Sequence, residues 1–142
     1  MRNEPTLVIV DAANTVGSVP DGWWRDRRGA TLRLRDALVP LAAEEQDTFP
    51  GPVELVLVVE GVARDVEPVP GVRVEPAPGS GDDRIVELVA AEMSRPAARS
   101  CVVVTADREL RRRVEAYGAR CVGPRTVRPP RADGSTGGRR AR

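Results

Sequence analysis

Lysine and histidine are absent from this 142-residue chain, and all 22 basic residues are arginine. Any mechanism that needs a lysine ammonium or an imidazole from this chain is therefore excluded. Two cysteines are present, Cys101 and Cys121, and their spacing matches neither a disulfide framework nor a zinc knuckle. Each lies in or beside an apolar run, which favours a buried thiol. Aromatic residues make up only 3% of the chain, so the core must consist of Val, Leu, Ile and Ala, as in α/β folds.

Long hydrophobic runs are also absent from the N-terminal part of the chain. The segment MRNEPT is polar, and the apolar run at residues 7–10 is far too short for a signal peptide or a membrane span. We expect a soluble cytoplasmic protein with no membrane association.

The net charge of +1 conceals an uneven distribution of arginine. Residues 125–142 carry six arginines and one acid, Asp133. A tail of about +5 is typical of arms that hold polyanions. Its Pro, Gly and Ser content predicts disorder. The simplest division is one domain over residues 5–124, followed by a basic tail over residues 125–142.

The pattern of the remaining chain predicts an α/β fold. Helical spacing occurs over residues 30–46, where Pro40 should kink or end the helix, and over residues 82–95 and 107–118. In the last of these, Tyr117 should share the buried face, and Gly118 should cap the helix. β-branched runs occupy residues 6–10, 53–60, 71–75, 101–105 and 119–123. The alternation predicts three layers, with a mainly parallel sheet of four to five strands flanked by helices.

Acidic residues follow several of these strands or open the next helix. Asp11 ends the first strand, Glu60 ends the second, and Asp107 follows the run CVVVT. Asp82 and Asp83 open a helix after the turn PGSG. Because ligands of open α/β sheets bind beyond the carboxyl ends of the strands, we expect these acids to lie together.

Each acid also has a purely structural interpretation. Asp82, Asp83 and Asp107 can cap a helix or complement its dipole, and Glu60 can be the first solvated residue after its strand. Asp11 fits this interpretation least well, because a loop with Gly and Pro follows DAANT and no helix is expected at once. Together, clustered carboxylates would repel one another unless a cation lay between them. Oxygen ligands without Cys or His suit Mg²⁺ or Mn²⁺.

The missing lysine narrows the chemistry that such a site can perform. Phosphatases and response regulators with an aspartyl nucleophile depend on a lysine, and the phosphatase motif needs an Asp where this chain has Ala13. A P-loop is excluded for the same reason. Metal-assisted hydrolysis of a phosphodiester needs no lysine, so nuclease chemistry fits best.

The order VIVDAANT, SGDDRIVELV and VVVTADREL resembles the NYN domain, a branch of the PIN-like metal-dependent ribonucleases, nearest to its YacP-like members. The resemblance covers roughly residues 6–123, almost all of the predicted domain. It implies a PIN-like (Rossmann-like) fold and ribonuclease activity.

Five residues match the family's motifs. Asp11 and Asn14 match its D-x-x-N pattern, Asp82 matches an acid that begins a helix, and Thr105 with Asp107 matches its T-x-D motif. The family often has another acid before the second Asp, whereas this chain has Gly-Ser-Gly there. Fewer ligands would weaken metal binding or require the substrate phosphate to complete the site.

The resemblance implies a role for each matched residue. Asp11, Asp82 and Asp107 would hold one or two Mg²⁺ or Mn²⁺ ions, which activate water for in-line attack on the RNA phosphodiester. Asn14 would orient Asp11 or touch the scissile phosphate, and Thr105 would hydrogen-bond a ligand carboxylate. Further acids that could contribute are Glu60, Asp83 and Glu109.

The segment GWWRDRRGA at residues 22–30 combines two tryptophans with three arginines. Such residues stack unpaired bases and hold phosphates in single-strand binders. We expect one Trp to pack into the core and the arginines to contact single-stranded RNA. The predicted RNA-binding arginines are Arg25, Arg27, Arg28 and Arg108.

Three alternatives remain open at this point. The chain could be a catalytically inactive PIN-like module that binds RNA, the ribosome or another ribonucleoprotein, in which case the acids serve as caps. It could be a toxin ribonuclease with an antitoxin-like protein partner, identified by toxicity that a neighbouring gene relieves. A Mg²⁺-dependent nucleotide hydrolase would instead cleave nucleoside triphosphates.

Overall fold

Five parallel strands form the centre of the domain in the computed structural model, which describes residues 4–18, 22–43, 49 and 52–127. The strands coincide with the β-branched runs of the sequence, and such residues suit a sheet that is buried on both faces. The strands are β1 (Thr6–Asp11), β2 (Val53–Val59), β3 (Val72–Pro76), β4 (Cys101–Val104) and β5 (Arg120–Val122). The predicted strand runs, parallel direction and α/β class are thus confirmed.

The strand order across the sheet is β3-β2-β1-β4-β5. After β1, the chain adds β2 and then β3 on one side of it. It then returns to the other side of β1, where it adds β4 and β5. The reversal leaves a topological switch point between β1 and β4, where ligands of open α/β sheets bind beyond the carboxyl ends of the strands. Asp11 and the segment at residues 105–107 flank this point.

Helices cover both faces of the sheet and bury two separate hydrophobic clusters. Successive residues of β1 alternate between them: Val8 and Val10 face the first cluster, and Leu7 and Ile9 face the second. The helices are α1 (Ala12–Val16) and α2 (Arg27–Ala43) beside the first cluster, and α3 (Gly81–Met93) and α4 (Arg108–Glu115) beside the second. The predicted three-layer arrangement is confirmed.

Three details of the helices differ from the expectations. Of the two effects expected of Pro40, an early end of the helix does not occur, because α2 continues to Ala43. Residues 44–46 of the predicted helix lie outside the described residues. Pro40 and Asp36, whose carbonyl loses its helical partner, are both exposed, so water can satisfy that carbonyl. Tyr117 is 48% exposed, because α4 already ends at Glu115 and the chain turns away before reaching it.

Gly118 does not cap α4, since Ala116 occupies the C-cap. It adopts a φ of 100° at the end of the following turn, a left-handed conformation that glycine reaches without strain. The glycine predicted to cap α4 therefore marks a real turn of the chain, which lies two residues beyond the actual C-cap.

A network of ion pairs lies at the end of the sheet opposite the switch point. Glu92, 7% exposed, accepts hydrogen bonds from the Arg99 backbone N–H at 3.0 Å and from the Arg99 guanidinium at 2.9 Å. Arg99 also donates to Glu54 at 2.5 Å, and Arg95 donates to Glu92 at 2.6 Å. Charges at this end are therefore neutralised in pairs.

Other expectations concern the cysteines, the membrane and the tail. Cys101 is buried as predicted and Cys121 is partly buried; both are free. Within the described residues, none of the helices has the length and apolar character needed to cross a bilayer. Residues 128–142, most of the predicted basic tail, lie outside the described residues.

Candidate active site

Asp11 ends β1 at the switch point, and its side chain is only 4% exposed. Its Oδ2 accepts a hydrogen bond from the Thr105 hydroxyl at 3.0 Å, and its Oδ1 accepts one from the Asn14 backbone N–H at 3.3 Å. The second bond makes Asp11 the N-cap of α1. The expectation that no helix follows Asp11 directly is therefore wrong, because a helix of five residues is too short to show an amphipathic period.

Hydrogen bonds join the turn after β4 to Asp11 and to α1. The Thr105 hydroxyl also accepts a hydrogen bond from the Asp107 backbone N–H at 3.1 Å. The Asn14 side-chain oxygen accepts one from the Ala106 N–H at 2.9 Å, so this side chain holds the turn. Asp107 in turn caps α4. One buried hydroxyl thus links the segments that carry two of the predicted ligands.

The pKa of Asp11 is raised from its ordinary value of 3.8 to about 6. Burial is the main cause, and the hydrogen bonds from Asn14 and Thr105 offset it only in part. The negative charges of Asp82 and Glu60 raise the pKa further. Asp11 is therefore a buried acid with two other acids nearby.

Asp82 lies in the first turn of α3 and is partly buried. Its pKa is raised by burial first, then by the charges of Asp107 and Glu60, while Arg113 opposes the shift. The charges of Asp82 and Glu60 thus act on Asp11, and those of Asp107 and Glu60 act on Asp82, so we call the acids at residues 11, 60, 82 and 107 the acid cluster. Four segments of the chain bring them to the carboxyl edge of the sheet, as the sequence predicts.

Glu60 is connected to the start of α3 by a hydrogen bond that the sequence did not reveal. Its Oε1 accepts from the Gly81 N–H at 2.7 Å. A Cβ on residue 81 would lie 2.5 Å from the same oxygen, so glycine leaves room for the carboxylate. Glu60 thus brings an acid to the helix start where the Gly-Ser-Gly segment has none.

The other two acids named from the sequence are engaged at the surface. Asp83 accepts a hydrogen bond from Arg113 at 3.0 Å, and Glu109 pairs with Arg112. Ser80, and neither acid, is the N-cap of α3. Because arginines already hold the carboxylates of Asp83 and Glu109, we assign them no part in the site.

The donor set of the acid cluster suits a hard divalent cation, since all its side-chain donors are carboxylate oxygens. Within the described parts of the chain, however, no group of three or more His, Cys, Asp or Glu side chains is arranged to hold a metal ion. Mg²⁺ commonly binds through one or two carboxylates, with waters and substrate phosphates completing its shell. The cluster fits this open kind of site and not a closed protein cage.

Replacing Thr105 with Val should lower the free energy of unfolding. The buried hydroxyl donates a hydrogen bond to Asp11 and accepts one from the Asp107 N–H. Its loss leaves both groups without this partner, and an unsatisfied buried group costs about 1–3 kcal/mol. Urea denaturation would measure this change, and Thr105→Ser, which keeps the hydroxyl, is the matched control. Equal stability of the Val and Ser variants would contradict the assigned hydrogen bonds.

The predicted RNA-binding arginines do not share one environment. Arg25 lies over the Trp24 ring and Arg27 over the Trp23 ring, at 5.8 and 5.5 Å from the ring centroids. Arg28 instead pairs with Asp65 at 2.8 Å. Arg108 is exposed at the first residue of α4, directly after Asp107.

The two tryptophans lie in different environments, and one of them packs against the core, as expected. Trp23 is partly buried and packs against the first hydrophobic cluster, whereas Trp24 is 53% exposed. Their rings meet edge to face with centroids 6.2 Å apart.

A cavity of about 160 Å³ lies between α1, the start of α2 and the turn after β2. Sequence reasoning did not find it, because its walls come from segments far apart in the chain. In the sequence, only the Trp- and Arg-containing segment at residues 22–30 indicated a recognition surface in this region. Among the lining residues are Ala13, Val16, Trp23, Arg27, Glu60 and Val62.

Among solved structures, the chain is similar to the crystal structure of a mutant of Rae1 (YacP) from Bacillus subtilis, with a TM-score of 0.60. The two chains are 19% identical, and the match covers 86% of this chain and 72% of that chain. No protein-family model matches this chain, and no curated protein matches it in sequence. The structural similarity supports the predicted YacP-like fold.

Proposed function

We propose that this chain is a metal-dependent ribonuclease that hydrolyses internal phosphodiesters of single-stranded RNA. The observation that carries the proposal is the acid cluster at the switch point, whose members Asp11 and Asp82 have pKa values raised by burial and by neighbouring acids. A site that concentrates negative charge in this way is suited to a divalent cation. The YacP-like fold and the order of the three motifs support the same activity.

Asp11, Asp82 and Asp107 would hold Mg²⁺ or Mn²⁺, with water and the substrate phosphate completing its shell. Glu60, which follows β2, would support this site through its hydrogen bond from the Gly81 N–H at the start of α3. When bound, the metal supplies an activated water and stabilises the leaving oxygen. Thr105 keeps the Asp11 carboxylate in place through its 3.0 Å hydrogen bond. Because the Asn14 side chain holds the turn at Ala106, we assign it to positioning that turn.

Arginine side chains provide the positive charge that the acid cluster lacks. Arg108 is exposed next to Asp107 and would contact a phosphate close to the scissile one. Arg25 and Arg27 would bind the RNA strand near the two tryptophans. Arg28, already paired with Asp65, is the weakest of the four predicted contacts.

Cleavage of a labelled single-stranded RNA should require Mg²⁺ or Mn²⁺ and stop when EDTA is added. Asp82→Asn should slow the reaction by at least about 100-fold, since even a group that only supports a metal ligand contributes about 10- to 100-fold. Asp83→Asn is the matched control, because the neighbouring acid is bound to Arg113. It should retain activity to within about 3-fold, well short of the loss of even a supporting group.

Three results would contradict the proposal. Cleavage that persists in EDTA, or that Asp82→Asn leaves unchanged, would indicate a contaminating nuclease. If the wild type cleaved none of several RNAs but still bound them, the chain would be the inactive RNA- or ribonucleoprotein-binding module instead.

A further inference from the structure

The cavity of about 160 Å³ opens beside the proposed reaction centre. Ala12 and Ala13, which line it, directly follow Asp11 in α1. Glu60 lines it as well, and the charge of Glu60 raises the pKa of Asp11. A group bound in the cavity would therefore be a close neighbour of a phosphate bound at the acid cluster.

The walls of the cavity combine aromatic, aliphatic and cationic groups. Trp23, an aromatic residue, and Val16 and Val62, two aliphatic ones, are among its lining residues. The Arg27 guanidinium lies 5.5 Å from the centroid of the Trp23 ring. Val62 is 67% exposed at the rim, an apolar side chain that a bound ring would cover. Proteins that bind unpaired bases use aromatic faces and arginine in this way.

The size of the cavity limits what can occupy it. Pockets for drug-sized ligands and cofactors measure about 300–1,000 Å³. A cavity of about 160 Å³ admits one planar ring system, and an aromatic residue already forms part of its wall. A nucleobase has this shape and combines stacking faces with polar edges, which Arg27 and Glu60 can meet.

We propose that this cavity binds one unpaired nucleobase of the RNA strand, adjacent to the phosphate at the acid cluster. The inference rests on the proposed ribonuclease function for the identity of the strand. A base within a duplex cannot enter, so the cavity selects single-stranded RNA.

The tryptophans provide a direct test of occupancy. The chain has only two, so Trp24→Phe leaves Trp23 as the single tryptophan reporter. In EDTA, which prevents cleavage, AMP and a short single-stranded oligoadenylate should each quench Trp23 fluorescence to saturation. Ribose 5-phosphate, which has the phosphate but no base, should not. Equal quenching by ribose 5-phosphate and AMP would overturn the inference, and quenching by AMP but not by the oligonucleotide would indicate a free-nucleotide site.

A filled cavity should lose this binding. Ala13→Leu, at an exposed helical position that lines the cavity, should weaken oligoadenylate binding by about 10-fold, the loss expected for one stacked base. Ala37→Leu, at an exposed position of α2 outside the cavity lining, is the matched control. Equal affinities of the two variants would overturn the inference. Because binding is measured without metal, base binding without cleavage would disprove only the ribonuclease activity, and cleavage without base binding only the cavity assignment.

Discussion

Asp11→Asn is expected to reduce RNA cleavage by at least about 100-fold, more than the loss of a group that merely supports a metal ligand. The reason is the position of Asp11 at the switch point, where its carboxylate is held by Thr105 and adjoins the other acids. The substitution is nearly isosteric, and Asn can still cap α1. Initial rates at saturating Mg²⁺ or Mn²⁺ would measure the effect.

The same substitution should stabilise the protein in the absence of metal. The pKa of Asp11 is about 6 in the folded state against 3.8 as its ordinary value, so the folded state binds more protons between these pH values. The free energy of unfolding therefore falls as pH rises through that window, and above it the ionised side chain opposes folding by up to about 3 kcal/mol. An uncharged Asn removes this opposition.

Urea unfolding in EDTA would test the expected stabilisation by Asp11→Asn. Asp11→Asn and wild type should have similar stability near pH 4, and the variant should be more stable by about 1–3 kcal/mol at pH 7.5. A variant that is less stable at pH 7.5 would show that the hydrogen bonds of the carboxylate outweigh the cost of burying its charge. A variant that still cleaves RNA would remove Asp11 from the reaction.

Glu92→Gln is expected to lower the free energy of unfolding by about 2–4 kcal/mol, since breaking a buried ion pair leaves its partner uncompensated. Glu92 is 7% exposed and takes two hydrogen bonds from Arg99, whose side chain is 15% exposed. Burial raises the pKa of Glu92, but the hydrogen bonds and charges of Arg99 and Arg95 together lower it below its ordinary 4.5. The network is thus a net stabilising one at neutral pH.

The pH dependence of this effect has the opposite sign to that of Asp11. Because the pKa of Glu92 is lowered on folding, its contribution is present above pH 4.5 and is lost as the pH falls through the lower folded value. Glu87→Gln is the matched control on the same helix, since Glu87 is 64% exposed in its pair with Arg84 and should change stability by less than about 1 kcal/mol. Equal losses in the two variants at neutral pH would contradict the assignment.

The sheet was predictable from the sequence, whereas the connections at its edge were not. Runs such as LVLVV at residues 55–59 are apolar throughout and rich in valine, a pattern typical of a parallel strand covered on both faces. The helix α1 was missed because AANTV has no period, and the start of α2 was missed because residues 27–29 include no large apolar side chain.

The positions of the acids at one edge of the sheet were predictable one by one, but their supporting contacts depend on tertiary structure. The position of each acid after a strand or at a helix start placed it at the correct edge. The hydrogen bonds from Thr105 to Asp11 and from Gly81 to Glu60 join residues 94 and 21 positions apart. No local pattern encodes such a pairing, and the same holds for the cavity beside Trp23.

Helix capping separates the acids into two kinds with different evolutionary fates. Asp11 caps α1 and Asp107 caps α4, whereas Ser80 caps α3 and leaves Asp82 with no capping duty. If the proposed activity were lost, selection would still favour a capping side chain at positions 11 and 107, because replacing a cap with Ala costs about 0.5–2 kcal/mol, although Asn caps a helix as well as Asp does. Asp82 would be free to drift. Within this fold, the residue at position 82 is therefore the better marker for separating active enzymes from inactive descendants.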